Sequence, residues 1–489
     1  MDGLQVLDTL KKINPWFKDN KVPSSRLEDF KRREFSELEQ TLENTEIATL
    51  IIGGRRVGKS VLMHQLIDSL LKKGIDGRKI LFIQGDNPIF PEVIKDSKIL
   101  NHILEIYQKY IIEQTFDDLQ ESIYIFIDEA HSLKGWQLEV KTNLDLKYKI
   151  KFIVTGSSSF ELRRVSPNPL TGRVSVHVIA PFSFADYFRY GLNRDGDTEE
   201  FKNKLFSLHV RFRESLLKGD LESTYRQLKS AMNLTLNYQL KKKLDDYLFV
   251  GGFPLVITNP KNKDVYLRDL LTSTISKDIL AQVDAREPQA FERLMVNLCL
   301  SVGNTIKFKG LAERLGIDER TVSRYVDYYV ESHWAFVSSP YVFHRKADSI
   351  KTYKKIYVID SGIINTLSFK DKSDFQSDTQ YKGKILENAI HNHLLTLKQT
   401  EFGAFQSSVP FWLEEKDSKE IDFIFEIKNG VIPIESKYKI QPDVDDLITM
   451  KEFVKTKTSA KFGIVTTEDA LEIHGKVLLI PYSIFMLLI

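Results

Sequence analysis

Cysteine is almost missing from this chain: Cys299 is the only one in 489 residues. An intramolecular disulfide and a cysteine-built zinc cluster are thereby excluded, and a reducing compartment fits. Charge of one sign is not in excess either, with 69 Lys and Arg against 67 Asp and Glu. Any nucleic-acid surface must then be a local basic patch. Long apolar runs are absent as well. Met1-Asp2-Gly3-Leu4 has an acid where a signal peptide has none, and the apolar tail from Val477 to Ile489 is broken at Pro481-Tyr482. That tail falls short of the roughly 20 residues that cross a bilayer, so it reads as buried strand and helix, with no membrane partner and a cytoplasmic location. What remains, 42% hydrophobic and 28% charged, is a globular composition long enough for about three domains.

The apolar run from Ile47 to Ile52 predicts a parallel strand buried on both faces. Directly after it, Gly53 to Ser60 reads Gly-Gly-Arg-Arg-Val-Gly-Lys-Ser, the P-loop pattern. Val61, Leu62, Leu66, Leu70 and Leu71 then recur at helical spacing before Gly74. Strand, glycine-rich loop and helix in this order make an ATP site from Gly53, Gly54, Arg55, Arg56, Val57, Gly58, Lys59, Ser60 and Val61. Backbone N–H groups and the helix N-terminus face the phosphates, Lys59 reaches the β and γ phosphates, and the Ser60 hydroxyl binds Mg²⁺. A second strand follows at Lys79 to Asp86 and a third at Ser122 to Glu129. The third is apolar until Asp128 and Glu129, at the strand edge where open α/β sheets place ligands. Asp128 is expected at Mg²⁺ and Glu129 at the attacking water.

A fourth strand, Lys151 to Gly156, ends in hydroxyls at Thr155, Ser157 and Ser158; Thr155 is the first choice for sensing the γ phosphate and Ser157 the second, with ordinary strand capping as the plainer alternative. Arg173, in Leu170-Thr-Gly-Arg173, is a candidate arginine finger, in this chain or in a neighbouring subunit, unless it is a salt bridge at a strand start.

Two further motifs lie downstream. Leu311 to Leu315, Gly316-Ile-Asp318 and Glu319 to Val326 predict helix, tight turn and helix, with Arg320, Thr321, Ser323 and Arg324 outward as a DNA-reading face. Arg345, Lys346, Lys351, Lys354 and Lys355 add charge to that candidate patch, and His333 to Val337 reads as a wing strand. Near the end, Asp422 at a strand start and Glu435 of Glu435-Ser-Lys437 on the next strand are placed to share a divalent cation, with Glu387 on a helix as an outer ligand and Lys437 positioning the attacking water or stabilising charge; a charged hairpin is the plainer alternative.

The order of these pieces, together with Pro181 to Phe188 and Gly251-Gly-Phe-Pro254, resembles the prokaryotic AAA+-like ATPases of the AAA_14 type that carry a C-terminal domain of unknown function. The Asp422, Glu435, Lys437 spacing is similar to the PD-(D/E)xK restriction-endonuclease fold. The resemblance implies an N-terminal extension over 1–30, an α/β P-loop core with a parallel sheet over 31–190, and a helical lid or insertion over 191–260. A winged helix-turn-helix domain over 261–350 and a nuclease-like α/β domain over 351–489 complete it. Expected partners are ATP, DNA and further copies of the chain. The function expected is an ATPase whose nucleotide state controls a DNA-binding, DNA-cutting C-terminal half; the alternative is an ATP-dependent switch whose winged helix and inactive nuclease relic hold a protein partner.

Overall fold

The computed structural model describes residues 2–94, 98–156, 170–235, 238–280, 288–343, 353–403, 408–414, 419–440 and 444–489. Ser157, Ser158, Arg345, Lys346 and Lys351, singled out from the sequence, lie outside the described residues. Two compact units divide the chain, Met1–Ile179 and Ala180–Ile489.

The first unit is built on five parallel strands: β1 (Ala48–Ile52), β2 (Ile80–Gln84), β3 (Ile123–Asp128), β4 (Ile150–Gly156) and β5 (Val174–Val178). Their order across the sheet is β2-β3-β4-β1-β5, so β4 stands between the two strands that end in the P-loop and in Asp128. β1 is buried along its whole length and β2, β3 and β4 along most of theirs, which is why they read as unbroken apolar runs. Helices Lys59–Lys72, Ile99–Tyr107 and Trp136–Asp145 accompany them, and Leu100, Ile103, Leu104, Trp136 and Val140 join the strands in one core.

The N-terminal segment, read as an extension, packs into this core. Val6, Leu7 and Leu10 of helix Asp2–Ile13 belong to the same apolar cluster as the sheet. Asn14 then treats edge strand β2 as a neighbouring strand would: its Nδ2 donates to the Phe82 carbonyl at 2.9 Å, and the Phe82 N–H donates to its Oδ1 at 2.6 Å. Trp16 Nε1 donates to the Ile80 carbonyl at 2.8 Å. These bonds pair an otherwise open strand edge.

Within the second unit, helices Glu199–Lys218 and Leu221–Thr235 form the stretch read as a lid or insertion. Helix Pro288–Ser301, short β6 (Thr305–Ile306), helices Phe308–Leu315 and Glu319–Glu331, and strands β7 (Ala335–Ser338) and β8 (Lys354–Val358) follow. The three strands are antiparallel in the order β6-β8-β7. β8, which lies beyond the boundary expected at residue 350, completes this sheet. Gly316, at φ 69°, ends the first helix of the pair, and Asp318 caps the second by accepting the Thr321 N–H at 2.9 Å.

Helix Thr379–Phe402 leads to a two-stranded ribbon of β9 (Trp412–Glu414) and β10 (Lys419–Ile421). Strands β11 (Phe423–Ile427), β12 (Gly430–Glu435), β13 (Gly463–Thr467), β14 (Glu472–His474) and β15 (Val477–Pro481) form a mixed sheet in the order β11-β12-β13-β15-β14. Helix Val444–Thr456 links β12 to its parallel neighbour β13. The apolar tail is strand β15 and the buried helix Tyr482–Leu488, as its composition predicts.

The Gly251-Gly-Phe-Pro254 motif is a latch. Asp360 Oδ2 accepts the Gly252 N–H at 2.6 Å, and Asp360 Oδ1 accepts the Ile363 N–H at 3.2 Å. A Cβ at position 251 would lie 2.2 Å from Asp360 Oδ1, so only glycine fits. Burial, only partly offset by these backbone N–H groups, pushes the Asp360 carboxyl up to about 6.

Candidate nucleotide site and carboxylate cluster

The nucleotide site lies at the C-terminal edge of β1, β3 and β4. From Gly53 to Gly58 the chain turns out of β1 and enters helix Lys59–Lys72, with Gly58 at φ 102° in the position before its first residue. Arg56 is held at φ 60° and is exposed, Val57 is fully buried, and Gly54, Arg55 and Val61 complete the turn. Lys59 is 5% exposed, and its ammonium donates to the carbonyls of Gly53 and Gly54, each at 2.9 Å. A buried charge must be paired or hydrogen-bonded, and these two carbonyls fix it at the mouth of the loop.

Three side chains and one backbone N–H, from three elements, form one network there. Ser60 Oγ donates to Asp128 Oδ2 at 2.7 Å. Thr155 Oγ1 donates to Asp128 Oδ1 and accepts the Glu129 N–H at 3.0 Å. Glu129 has φ 48° and ψ 47°, a left-handed conformation that costs a non-glycine residue about 1–2 kcal/mol. The bond to Thr155 helps hold it there. Burial raises the Glu129 carboxyl, against the pull of Lys59 and His131. Its Oε2 lies 3.3 Å from His131 Nδ1 but is not aligned with it, so this buried oxygen has no hydrogen-bond donor.

Thr155, expected at the γ phosphate, gives its one hydroxyl proton to Asp128 in this structure, and its fully buried side chain links the two acids. Arg173 makes a salt bridge at a strand start, the alternative its position offered. It precedes β5 at the N-terminal edge of the sheet, where its carbonyl accepts the Ala48 N–H and its Nε donates to Asp145 Oδ1 at 2.8 Å. The length of β1, roughly 16 Å at ~3.3 Å per residue, separates that edge from the P-loop of the same chain.

Sequence reasoning missed a clamp beneath the loop. Arg32 and Glu34 form a buried ion pair at 2.9 Å, and Arg32 Nη1 donates to the Val57 carbonyl at 3.0 Å. Burial would raise the Glu34 carboxyl, but Arg32 and Arg33 outweigh it and lower it to about 2. Gln65 Nε2 ties the same segment to the helix by donating to the carbonyls of Glu28 and Phe30.

In the second unit, Arg320 and Arg324 are exposed on helix Glu319–Glu331, with Ser323 half-buried. The Thr321 hydroxyl donates to Asp318 Oδ2 at 2.6 Å as part of the helix cap. Lys307, Lys309 and Arg314 are exposed nearby, and so are Glu313, Asp318, Glu319 and Asp327, so the surface is of mixed sign. Lys355 does not belong to it: it is 1% exposed and lies inside the unit.

The acids read as a nuclease site do come together. Glu435 Oε2 accepts the Asp422 N–H at 3.2 Å, and Glu435 Oε1 pairs with Lys437 Nζ at 2.9 Å. Yet Lys355 Nζ stands among them, 3.0 Å from Glu387 Oε1, 2.8 Å from Asp422 Oδ1 and 2.5 Å from Glu420 Oε1. Among the described residues no group of three or more His, Cys, Asp or Glu side chains is arranged to hold a metal. Oxygens of the expected metal set Glu387, Asp422 and Glu435 thus face the ammonium groups of Lys355 and Lys437 in this structure. Burial, then the neighbouring Asp422, raises Glu387 to about 7 and Glu435 to about 8.

Residues 45–188 match the AAA_14 model of an AAA domain, residues 241–374 a domain of unknown function, DUF8612, and residues 382–485 a second, DUF4143. An uncharacterized protein of Haemophilus influenzae is 22% identical over 88% of this chain and 93% of its own length. An uncharacterized protein of Methanocaldococcus jannaschii is 23% identical over 90% of this chain and 84% of its own. Among solved structures, a Walker-type ATPase of Pyrococcus abyssi aligns over 69% of this chain and 95% of its own, at 16% identity and TM-score 0.37. The Aeropyrum pernix Orc1 protein in complex with DNA aligns over 71% and 95%, at 11% identity and TM-score 0.30. No helix among the described residues is long and apolar enough to cross a membrane. The N-terminal part of this chain is an AAA_14-type P-loop ATPase domain, and two domains of unknown function follow it.

Proposed function

We propose that this protein hydrolyses ATP and uses its nucleotide state to control DNA binding by the C-terminal unit. The observation that carries the ATPase reading is the network from Ser60 through Asp128 and Thr155 to Glu129, set beside a P-loop lysine. The donor set suits Mg²⁺, a hard cation that takes oxygen ligands: a serine hydroxyl and a carboxylate oxygen 2.7 Å apart at the phosphate edge of the sheet. Bound with ATP, Mg²⁺ would neutralise charge on the β and γ phosphates, held by Ser60 and Asp128. Lys59 adds a positive charge to the same phosphates, and the loop N–H groups orient them. Glu129 offers its unpartnered Oε2 to the attacking water, orients it and takes up its proton. Thr155 keeps Asp128 and Glu129 in register. Arg173, at the other sheet edge, would serve only the site of an adjoining copy, which makes its finger role a homo-oligomer proposal.

The DNA clause rests on a winged helix-turn-helix order of elements and on Arg320 and Arg324 standing outward. We read β11–β15 with helix Thr379–Phe402 as a nuclease-like fold on their strand order and on the Asp422, Glu435, Lys437 placement. A second reading, in which the helix-turn-helix docks a protein partner, is favoured by the mixed charge around Arg320. ATP turnover measured with and without duplex, branched and single-stranded DNA, at 50 and 200 mM salt, separates the two. The DNA reading expects stimulation that falls steeply over this range, as roughly one counterion is released per phosphate contact. Turnover indifferent to every nucleic acid, with no binding at low salt, leaves the protein-docking reading.

A further inference from the structure

The cluster around Lys355 has the chemistry of a filled cation site. An ammonium has three N–H donors, and Lys355 has three carboxylates within 3.0 Å, from Glu387, Glu420 and Asp422. These come from helix Thr379–Phe402, from β10 and from the residue before β11, whereas Lys355 comes from β8 of the three-stranded sheet. Further bonds hold the three acids in place: Asp422 Oδ2 accepts the Ser436 N–H at 2.9 Å, Glu420 Oε2 accepts the Thr305 hydroxyl at 3.3 Å, and Glu387 Oε1 also accepts from the Tyr357 hydroxyl at 2.9 Å. Lys355 cannot leave for solvent as a surface lysine would, because strand pairing holds its backbone between Thr305 and Ser338 and its side chain is 1% exposed.

We propose that the Lys355 ammonium is the resident cation of the Glu387, Glu420, Asp422 cluster, taking the place of a divalent metal and fastening the helix-turn-helix sheet to the nuclease-like domain. The inference rests on the nuclease-like reading of that domain and assigns it an anchoring role in place of cleavage. Mg²⁺ needs near-octahedral oxygens at about 2.0–2.1 Å, and a fixed positive charge among those oxygens opposes its entry. The neighbouring Lys437, paired with Glu435 and with Asp446 at 3.2 Å, places an ammonium in the second half of the site as well.

The test is Mn²⁺ binding by the full-length, nucleotide-free protein, followed by electron paramagnetic resonance in wild type, Lys355→Ala, and Lys355→Ala with Asp422→Asn. Wild type is expected to show no Asp422-dependent Mn²⁺ site. Lys355→Ala is expected to gain one, about 100-fold tighter than any wild-type affinity there, as the opposing charge is removed, and the Asp422→Asn double variant to lose it. An Asp422-dependent site in wild type would overturn the resident ammonium while leaving the nuclease-like fold standing. Lys355→Ala that folds and gains no site would overturn both the ammonium as the bar to metal and the nuclease-like reading of these acids. Should Lys355→Ala not fold, Lys355→Met combined with Asp422→Asn is expected to fold and melt above Lys355→Met alone. A double variant no more stable than the single would overturn the fastening role.

Discussion

Replacing Arg32 by Met removes the guanidinium that supports the P-loop from below. Two effects follow. Breaking a buried ion pair by deleting one partner costs about 3–5 kcal/mol, because the other charge stays buried and unpaired. Glu34 also loses the neighbour that holds it at about 2, against 4.5 for an ordinary glutamate. A depressed carboxyl contributes stability above its unfolded pKa, and that contribution is lost as pH falls toward the folded one. In wild type, the shift corresponds to about 3 kcal/mol present above pH 4.5, of which about 2 kcal/mol is gone by pH 3. In Arg32→Met this acid-side loss disappears. Urea unfolding at pH 7 and pH 3, followed by circular dichroism, should therefore show wild type losing about 2 kcal/mol more than the variant between the two. Loss of the bond to the Val57 carbonyl should also weaken ATP binding about tenfold, or about 1.4 kcal/mol. The double variant Arg32→Met with Glu34→Leu should recover most of the stability, since an apolar pair of similar size replaces the ions. Equal pH dependence in wild type and Arg32→Met, or a double variant as unstable as the single, would refute the clamp.

Thr155→Val removes the hydroxyl that joins Asp128 to the Glu129 N–H; turnover should fall about 10–100-fold with ATP affinity changed far less, as expected for a group that positions others. Unchanged turnover, read in a phosphate-release assay, would show that the acids are held without it. Gly251→Ala forces a Cβ against Asp360 at a backbone φ of 89°, and should lower stability by about 1–3 kcal/mol in a melting experiment. A variant that melts with wild type would mean that the latch is slack. Mixing Arg173→Ala chains with Lys59→Ala chains should restore turnover if Arg173 serves a neighbour's phosphate. Failure to restore it leaves the Asp145 salt bridge as the whole role of Arg173.

The nucleotide site was legible in the sequence because its parts are local. An apolar run buried on both faces, a glycine-lysine-serine loop and a helix follow one another, and the acids of β3 stand where the apolar run stops. The bond from Thr155 to Asp128 is not legible in the sequence, since a strand-end hydroxyl looks the same whether it meets a phosphate or a buried aspartate. The Arg32 clamp was hidden in Lys31-Arg-Arg-Glu34, which reads as a solvated charge run although two of its members are buried. Lys355 was hidden in the same way. Its one readable sign is alternation: in β8, Lys355 and Tyr357 share a face, and both meet Glu387. The Gly252 to Asp360 latch spans 108 residues of chain, a separation over which local patterning says nothing.

The ATPase reading is tested most directly by comparing Glu129→Gln with Lys59→Ala in two assays, equilibrium ATP binding and single-turnover hydrolysis with Mg²⁺. The account predicts that Glu129→Gln binds ATP as wild type does and hydrolyses it about 10²–10⁴-fold more slowly, the range for loss of a general base. Lys59→Ala should lose binding itself. A Glu129→Gln protein that turns over ATP at the wild-type rate would contradict the assignment of the water to Glu129, and wild-type binding by Lys59→Ala would contradict the site.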